Sequence, residues 1–126
     1  MIVAMVACRN PITGEDRLPA GVWGGTSIRI DVMADGATIE YDCAHGTIDE
    51  PLVADRDGLV TAIGTHVREH GGPIRDDEKP DRHPARYRGQ LSGDTLRLTV
   101  TLTDAPQEIG TFTLTRGATG RVVKCL

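Results

Sequence analysis

The three cysteines, Cys8, Cys43 and Cys125, are the residues of this sequence with the widest chemistry. An odd number of cysteines in an exported protein suggests one disulfide and one cysteine with a separate role. Cys43 and Cys125 are the candidate disulfide. Cys43 ends the second predicted strand and Cys125 ends the last one. In a closed meander of antiparallel strands, these two positions lie at the same end of the barrel only when the number of strands is even. Two buried free thiols are the alternative.

Cys43 and His45 stand two residues apart on a predicted strand, so their side chains should leave the same face. A histidine beside a cysteine can activate a thiolate for nucleophilic attack. No third residue that would orient the histidine is visible, and a core cysteine beside a hydrogen-bonded histidine is the simpler interpretation. We therefore assign no catalytic residue.

Four histidines, together with the acidic residues between positions 76 and 81, are the candidate metal ligands. Their spacings match no zinc or EF-hand pattern, so the sequence predicts no metal site and no cofactor. Phosphate-binding loops, nucleophile elbows and dinucleotide fingerprints are also absent from the sequence. The histidines are His45, His66, His70 and His83.

Composition restricts the class of protein. The chain has 126 residues, a length that suits one domain, and its formal net charge is -4. This balance argues against a nucleic-acid partner, which would require a basic domain. Aromatic residues make up only 3% of the chain, so Val, Ile, Leu and Ala must form most of the core. No apolar run approaches the roughly 18 residues that would span a bilayer.

The apolar pattern after residue 21 has a period of two, which is typical of half-buried strands, and no segment has a helical period. The clearest case is 95–103, where Leu96, Leu98 and Val100 alternate with polar residues. A polar stretch at 70–84 is predicted to be a solvated loop, with a lid as the alternative. The pattern predicts strands at 22–33, 37–45, 59–69, 86–91, 95–103, 108–116 and 121–126, and a short edge strand near 51–54.

Short connections between these strands favour an up-and-down meander, and closure of the sheet removes its exposed edges. The predicted fold class is all-β, a small antiparallel up-and-down β-barrel of seven or eight strands. About eight strands leave an interior that is either filled by side chains or wide enough for one small ligand. The predicted interior residues are Ile28, Ile30, Val32, Ile39, Tyr41, Leu91, Leu96, Leu98, Val100, Leu102, Phe112, Leu114 and Val123.

The tripeptide Gly21-Val22-Trp23, at the start of the first barrel strand, resembles the G-x-W signature of the lipocalins and the wider calycin barrels. In that family the tryptophan packs across one barrel end, and an arginine on the last strand lies over it. The resemblance implies this role for Trp23 and Arg121. It also implies a lipocalin-like barrel with an internal pocket for a small, mostly apolar molecule.

The N-terminal residues 1–8 form an apolar run that ends in a cysteine. Met5-Val6-Ala7-Cys8 resembles the end of a bacterial lipoprotein signal, although the basic n-region is absent. The resemblance implies a lipidation site at Cys8, membrane attachment only through that anchor, and a location in the bacterial periplasm or cell envelope. An ordinary first strand in a cytoplasmic protein is the alternative. The expected division is an N-terminal arm at 1–21 and a barrel domain at 22–126.

Three functions are compatible with such a barrel. The first is binding of a small apolar or amphipathic ligand in the cell envelope. The second is a structural or interaction role with a filled core, and the third is an enzyme that uses the barrel mouth. The candidate ligand-binding residues are Tyr41, His45, His66, Tyr87 and Arg88.

Overall fold

The computed structural model describes residues 16–73 and 77–125, and the regular elements in this part of the chain are β-strands. No helix among these residues is long and apolar enough to cross a membrane. The strands are β1 (Asp16–Arg17), β2 (Gly21–Gly25), β3 (Ile28–Met33), β4 (Gly36–Tyr41), β5 (Ala44–Ile48), β6 (Val53–Ala54), β7 (Leu59–Arg68), β8 (Asp81–Ser92), β9 (Thr95–Leu102) and β10 (Gln107–Arg116).

Eight of these strands form a closed antiparallel barrel. The strands β2, β3, β4, β5, β7, β8, β9 and β10 pair with their neighbours in chain order, and β10 pairs with β2 to close the sheet. The short strand β6 pairs with β7 through Ala54 and Val60, and β1 pairs with β6. The predicted fold class, an all-β up-and-down barrel, is therefore confirmed with eight strands.

Two predicted strands are each divided by a hairpin turn. Residues 22–33 form most of β2 and all of β3, and residues 37–45 contain all but the first residue of β4 and the start of β5. The turns contain Ser27 and Cys43, which have left-handed φ angles of 67° and 53°. Neither turn contains glycine, the residue that usually adopts this conformation. Neither point therefore has a strong turn signal in the sequence.

The predicted C-terminal strand is wrong, because residues 117–125 form a tail on the outside of the barrel. The tail runs parallel to β2, with a bridge between Thr26 and Arg121. Gly24 makes this close approach possible, since a Cβ atom at that position would lie 2.3 Å from the backbone nitrogen of Gly120. Each of the two hairpin turns adds one strand to the predicted barrel, and the C-terminal segment removes one. The barrel therefore still has eight strands.

The period-two alternation predicted most of the core correctly. Leu91 and Phe112 are partly buried against the core, as expected for residues near the barrel ends. Val123 was predicted to face the interior, but it is 67% exposed because it belongs to the tail. The predicted residues that are buried are Ile28, Ile30, Val32, Ile39, Tyr41, Leu96, Leu98, Val100, Leu102 and Leu114.

Leu98 and Thr99 test the two faces of β9. Leu98 is buried, whereas Thr99 faces outward with its hydroxyl 2.9 Å from that of Thr111. Leu98→Ala should lower the free energy of unfolding by about 2–5 kcal/mol because it leaves a cavity. Thr99→Ala should cost less than about 1 kcal/mol. Urea denaturation of both variants measures the difference, and equal losses would contradict the assigned faces.

One end of the barrel, where β2 begins and β10 ends, is closed. Trp23 is fully buried there, and its indole nitrogen donates a hydrogen bond to the carbonyl of Pro19 at 3.2 Å. Leu18 and Leu52 are also buried, and the Leu18 amide donates to the Leu52 carbonyl at 3.0 Å. The segment directly before β2, which was predicted to belong to the N-terminal arm, therefore covers this closed end. The opposite end, formed by the turns at 26–27 and 42–43 and the connections at 69–80 and 103–106, is called the mouth below.

Candidate functional site

The mouth contains a cavity of about 360 Å³. A volume in this range suits a small-molecule ligand. Its walls come from β4, β7 and β10, three strands that bring distant parts of the sequence together. The side chains that define its chemistry are Tyr41, His66, Arg68, Gln107, Ile109 and Phe112.

Three rings form one side of the cavity. The Tyr41 and His66 ring centroids are 5.0 Å apart in an edge-on arrangement, and those of Tyr41 and Phe112 are 5.6 Å apart. Tyr41 and His66 are only 3% and 2% exposed, whereas Phe112 is partly buried. The polar rings therefore lie deeper in the cavity than the phenyl ring.

Two buried polar atoms of this cavity have no hydrogen-bond partner among the described residues. They are the Tyr41 hydroxyl and the His66 Nδ1 atom. The Tyr87 hydroxyl is near Tyr41, but no hydrogen bond of normal geometry joins the two groups. Buried polar groups in proteins are nearly always hydrogen-bonded, because an unsatisfied one costs about 1–3 kcal/mol. Two residues that line the cavity therefore each have a buried polar atom whose capacity for a hydrogen bond is unused.

Both groups are neutral near pH 7. Burial raises the pKa of Tyr41 well above its usual range, and the nearby Tyr87 adds to the shift. Burial also lowers the pKa of His66, with further lowering by nearby cations, Arg68 foremost. The floor of the cavity thus consists of an uncharged hydroxyl and an uncharged imidazole.

The rim of the mouth, in contrast, is charged. The His83 ring lies between two carboxylates, with Nδ1 at 2.9 Å from Asp104 and Nε2 at 2.8 Å from Asp81. These hydrogen bonds, the one with Asp104 first, raise the pKa of His83. Arg68 donates to the Gln107 side chain at 2.7 Å and lies 4.0 Å from Asp81. Ion pairs and hydrogen bonds therefore hold the rim side chains in place around a less polar floor.

The structure separates the predicted ligand-binding residues into three groups. Tyr41 and His66 line the cavity. Tyr87 is buried behind it, and its hydroxyl donates to the Thr65 carbonyl at 2.7 Å. His45 and Arg88 lie elsewhere: His45 pairs with a glutamate outside the cavity, and Arg88 is exposed on the outer face of β8.

Local backbone geometry explains what the sequence pattern missed. The turn at 42–43 interrupts the alternation, so Cys43 and His45 do not share a strand face as predicted. A bulge between Glu108 and Gly110 inserts Ile109 as an additional residue in β10, and this side chain lines the cavity. Bulges often redirect a side chain in this way. A strict period of two could not have predicted Ile109.

The structure joins Cys43 and Cys125 in a disulfide, with their Cα atoms 4.9 Å apart. The tail, rather than a barrel strand, brings Cys125 to the mouth, so the argument from an even strand count does not apply. Cys43 is bonded and is therefore not a thiolate nucleophile in this state. Cys8, the predicted lipidation site, lies outside the described residues.

Further contacts fix the tail to the turn at 42–43. The Val123 amide donates to the Asp42 carboxylate at 2.7 Å. The Lys124 ammonium donates to the carbonyls of Tyr41 and Ala44, at 3.2 and 2.8 Å. It also pairs with two glutamates of β4 and the β7 end. The disulfide and these contacts place the tail beside the cavity.

The arginine opposite Trp23 is not Arg121, the one that the resemblance implied. Trp23 pairs in register with Arg116 of β10. Arg121 lies in the tail beside Thr26, towards the mouth. The sequence pattern placed Arg116 at the end of the predicted strand 108–116. Because a further strand was predicted after it, Arg116 was not considered as the arginine of the last barrel strand.

In the described ranges 16–73 and 77–125, no three histidine, cysteine, aspartate or glutamate side chains are arranged to hold a metal ion. Asp76, one of the acidic residues considered from the sequence, lies outside these ranges.

These features define a class: an eight-stranded antiparallel barrel, consistent with a calycin-like fold, with one closed end and a cavity at its mouth. No family model, no curated protein and no solved structure matches this chain. The geometry of the mouth must therefore support any functional proposal.

Proposed function

We propose that the protein binds a small, uncharged amphipathic molecule in the mouth cavity. The observation that carries this proposal is the pair of buried, unpartnered polar atoms on Tyr41 and His66, two residues whose rings are in contact and which line a cavity of about 360 Å³. A polar group of the ligand would bond to both atoms. Its apolar part would lie against Phe112 and Ile109, nearer the opening.

The depth of the cavity determines this orientation. Tyr41 and His66 are almost completely buried, whereas Phe112 and Ile109 are partly exposed. A charged head group would lose its hydration at the floor, which is costly. The cation that lines the cavity, Arg68, is already held at the rim by Gln107 and Asp81. An uncharged group that accepts a hydrogen bond, such as a carbonyl, fits the neutral floor better.

Backbone strain at the mouth also supports a ligand site. The non-glycine residues with left-handed φ angles in the described part of the chain are Ser27 and Cys43, and both line the cavity. Strained backbone conformations of this kind cluster at binding sites, where the surrounding structure maintains them.

Tyr41→Phe and Tyr87→Phe form a matched pair of variants that tests the site through stability. Removal of the unpartnered Tyr41 hydroxyl should raise the free energy of unfolding by about 1 kcal/mol, because a buried unsatisfied group disappears. Removal of the Tyr87 hydroxyl should lower it by about 1–2 kcal/mol, because the Thr65 carbonyl loses its donor. Urea denaturation of the ligand-free proteins measures both changes.

Binding of prodan, a neutral fluorescent naphthalene with a ketone, tests the same site directly. Prodan should bind to the wild-type protein, and Tyr41→Phe should weaken its binding about fivefold to tenfold, the value of one lost hydrogen bond. Met33→Gln changes an exposed apolar residue away from the mouth and should leave prodan affinity unchanged. Unchanged affinity in Tyr41→Phe, or a loss of stability equal to that of Tyr87→Phe, would contradict the proposal.

A structural or interaction protein with a filled core is the second candidate. The observation in its favour is that Trp23, Tyr87, Ile39 and Val100 fill the barrel interior below the mouth and are completely or almost completely buried. On this alternative, prodan would not bind to the wild-type protein at all.

The disulfide between Cys43 and Cys125 supports a location in the cell envelope, which we also propose. Structural disulfides persist in oxidising compartments and are rare in the cytosol. Lipidation at Cys8 stays a prediction. Fractionation of cells that produce the full chain, with labelling of free thiols, tests the location.

A further inference from the structure

Four exposed arginines lie on the outer face of β8 and β9. Arg82, Arg86 and Arg88 occupy outward positions of β8, and Arg97 occupies one of β9. Residues two apart on a strand are separated by about 7 Å, and diagonal neighbours on paired strands by a similar distance. Arg86, Arg88 and Arg97 therefore form a compact group, which together with Arg82 is called the arginine face.

None of these four arginines makes an ion pair with a residue that the structure describes. Other arginines do, including Arg29 with Asp31 and Arg116 with Asp94. Glu108 is the carboxylate on the outward positions of β10. Two others border the face: Glu50 accepts a hydrogen bond from the Ile63 backbone N–H at 2.8 Å, and Asp81, at the start of β8, is bonded to His83. Adjacent like charges are destabilising, so an external anion would relieve the repulsion within this face.

The arginine face also has a shape that suits phosphate groups. Arg88 and Arg97 line a shallow depression of about 280 Å³ together with Gln90 and the hydroxyl-bearing Thr99 and Thr111. Guanidinium groups bind phosphate oxygens through two parallel hydrogen bonds, a geometry that lysine does not provide. Hydroxyl groups nearby can donate to the same oxygens.

An apolar side chain within the face identifies the partner more closely. Ile63 of β7 is 60% exposed and lies directly opposite Arg86 in the sheet. Exposed apolar residues among cations are typical of surfaces that bind anionic membranes. Single-stranded nucleic acids instead require aromatic side chains for base stacking. Trp23 and both tyrosines are buried, and Phe112 lines the mouth cavity.

We propose that the arginine face docks on a membrane surface rich in anionic phospholipids. The guanidinium groups bind lipid phosphates, and Ile63 enters the interfacial region. The net charge of -4 does not prevent this contact. Charges on the far side of the barrel are screened, because the Debye length is only about 8 Å at physiological ionic strength. The mouth lies at a barrel end, so docking on the side leaves it accessible.

Co-sedimentation of the unlipidated full chain with vesicles tests this proposal. The protein should bind to phosphatidylcholine vesicles that contain phosphatidylserine, and much less to phosphatidylcholine alone or at high salt. The triple variant Arg86→Gln, Arg88→Gln, Arg97→Gln should lower the partition coefficient about 100-fold, since each arginine near the surface contributes roughly a factor of five. Ile63→Ser should lower it further.

The matched control is Arg29→Gln, Arg116→Gln, Arg121→Gln, which removes the same charge from other parts of the surface. Its partition coefficient should stay within about threefold of the wild-type value, because distant charges are screened. Circular dichroism checks that all variants are folded. Failure of the wild-type protein to bind to phosphatidylserine vesicles, or an equal loss in both triple variants, would overturn the proposal. Binding to single-stranded DNA but not to vesicles would also overturn it.

Discussion

Trp23→Ala should lower the free energy of unfolding by about 3–5 kcal/mol, the range for a large aromatic side chain lost from a core. Trp23 is completely buried at the closed end of the barrel, and its indole nitrogen bonds to the Pro19 carbonyl. The alanine variant loses this hydrogen bond and leaves a cavity. Urea denaturation followed by far-UV circular dichroism measures the effect without the tryptophan signal.

Two control variants separate the causes of that loss. Trp23→Phe keeps an aromatic ring but removes the indole N–H, so it should cost about 1–3 kcal/mol, less than the alanine variant. Met33→Ala changes a half-exposed residue near the same end and should cost less than about 1 kcal/mol. A loss below about 1 kcal/mol in Trp23→Ala would show that the side chain does not anchor the closed end.

The barrel could be predicted from the sequence because burial on one side of a strand imposes a period of two. Leu96, Leu98, Val100 and Leu102 face the core as this period requires, and Arg97 faces outward. The prediction failed where the backbone departs from a regular strand. The turns at 26–27 and 42–43 lack glycine, so the pattern gave too little reason to divide the strands.

The C-terminal tail shows a second limit of sequence patterns. Val123 alternates with its neighbours as a strand residue would, but it lies outside the barrel. Closure of β10 on β2 leaves no free edge within the barrel, so residues 117–125 follow the outside of β2 instead. Alternation does not reveal whether a strand has an available neighbour in a closed sheet.

The candidate site could be predicted only in part. Tyr41 and His66 were selected as polar or aromatic residues with potential binding chemistry, and both line the cavity. Their unpaired atoms depend on what surrounds them in three dimensions, which no local pattern specifies. Ile109 enters the cavity through a bulge, and Phe112 was expected only as a core residue.

The arginine face illustrates the difference between net charge and charge distribution. The acidic total of the chain argued against a nucleic-acid partner, yet strand alternation places Arg86 and Arg88 on one outward face beside Arg97. Such a face was implicit in the alternation of Arg86 and Arg88 with Tyr87. The pairing of β8 with β9 was needed to add Arg97 to the group.

Removal of the disulfide is the second change with a large expected effect. Cys43 and Cys125 are 82 residues apart, so their bond restricts most of the unfolded chain. Cys125→Ser should lower the free energy of unfolding by about 2–4 kcal/mol, mainly because the unfolded chain gains conformational entropy. Urea denaturation of oxidised wild type, reduced wild type and the variant measures this loss.

The double variant Cys43→Ser, Cys125→Ser serves as the matched control. It should lose about as much stability as Cys125→Ser alone, because either change breaks the same bond. Lys124→Met keeps the disulfide but removes the partly buried ammonium contacts at the mouth, and it should cost about 1–2 kcal/mol, less than the loss of the disulfide. If reduced and oxidised wild type unfold at the same urea concentration, the bond does not hold the tail on the barrel. The mouth would then have to keep its shape through the contacts of Val123 and Lys124 alone.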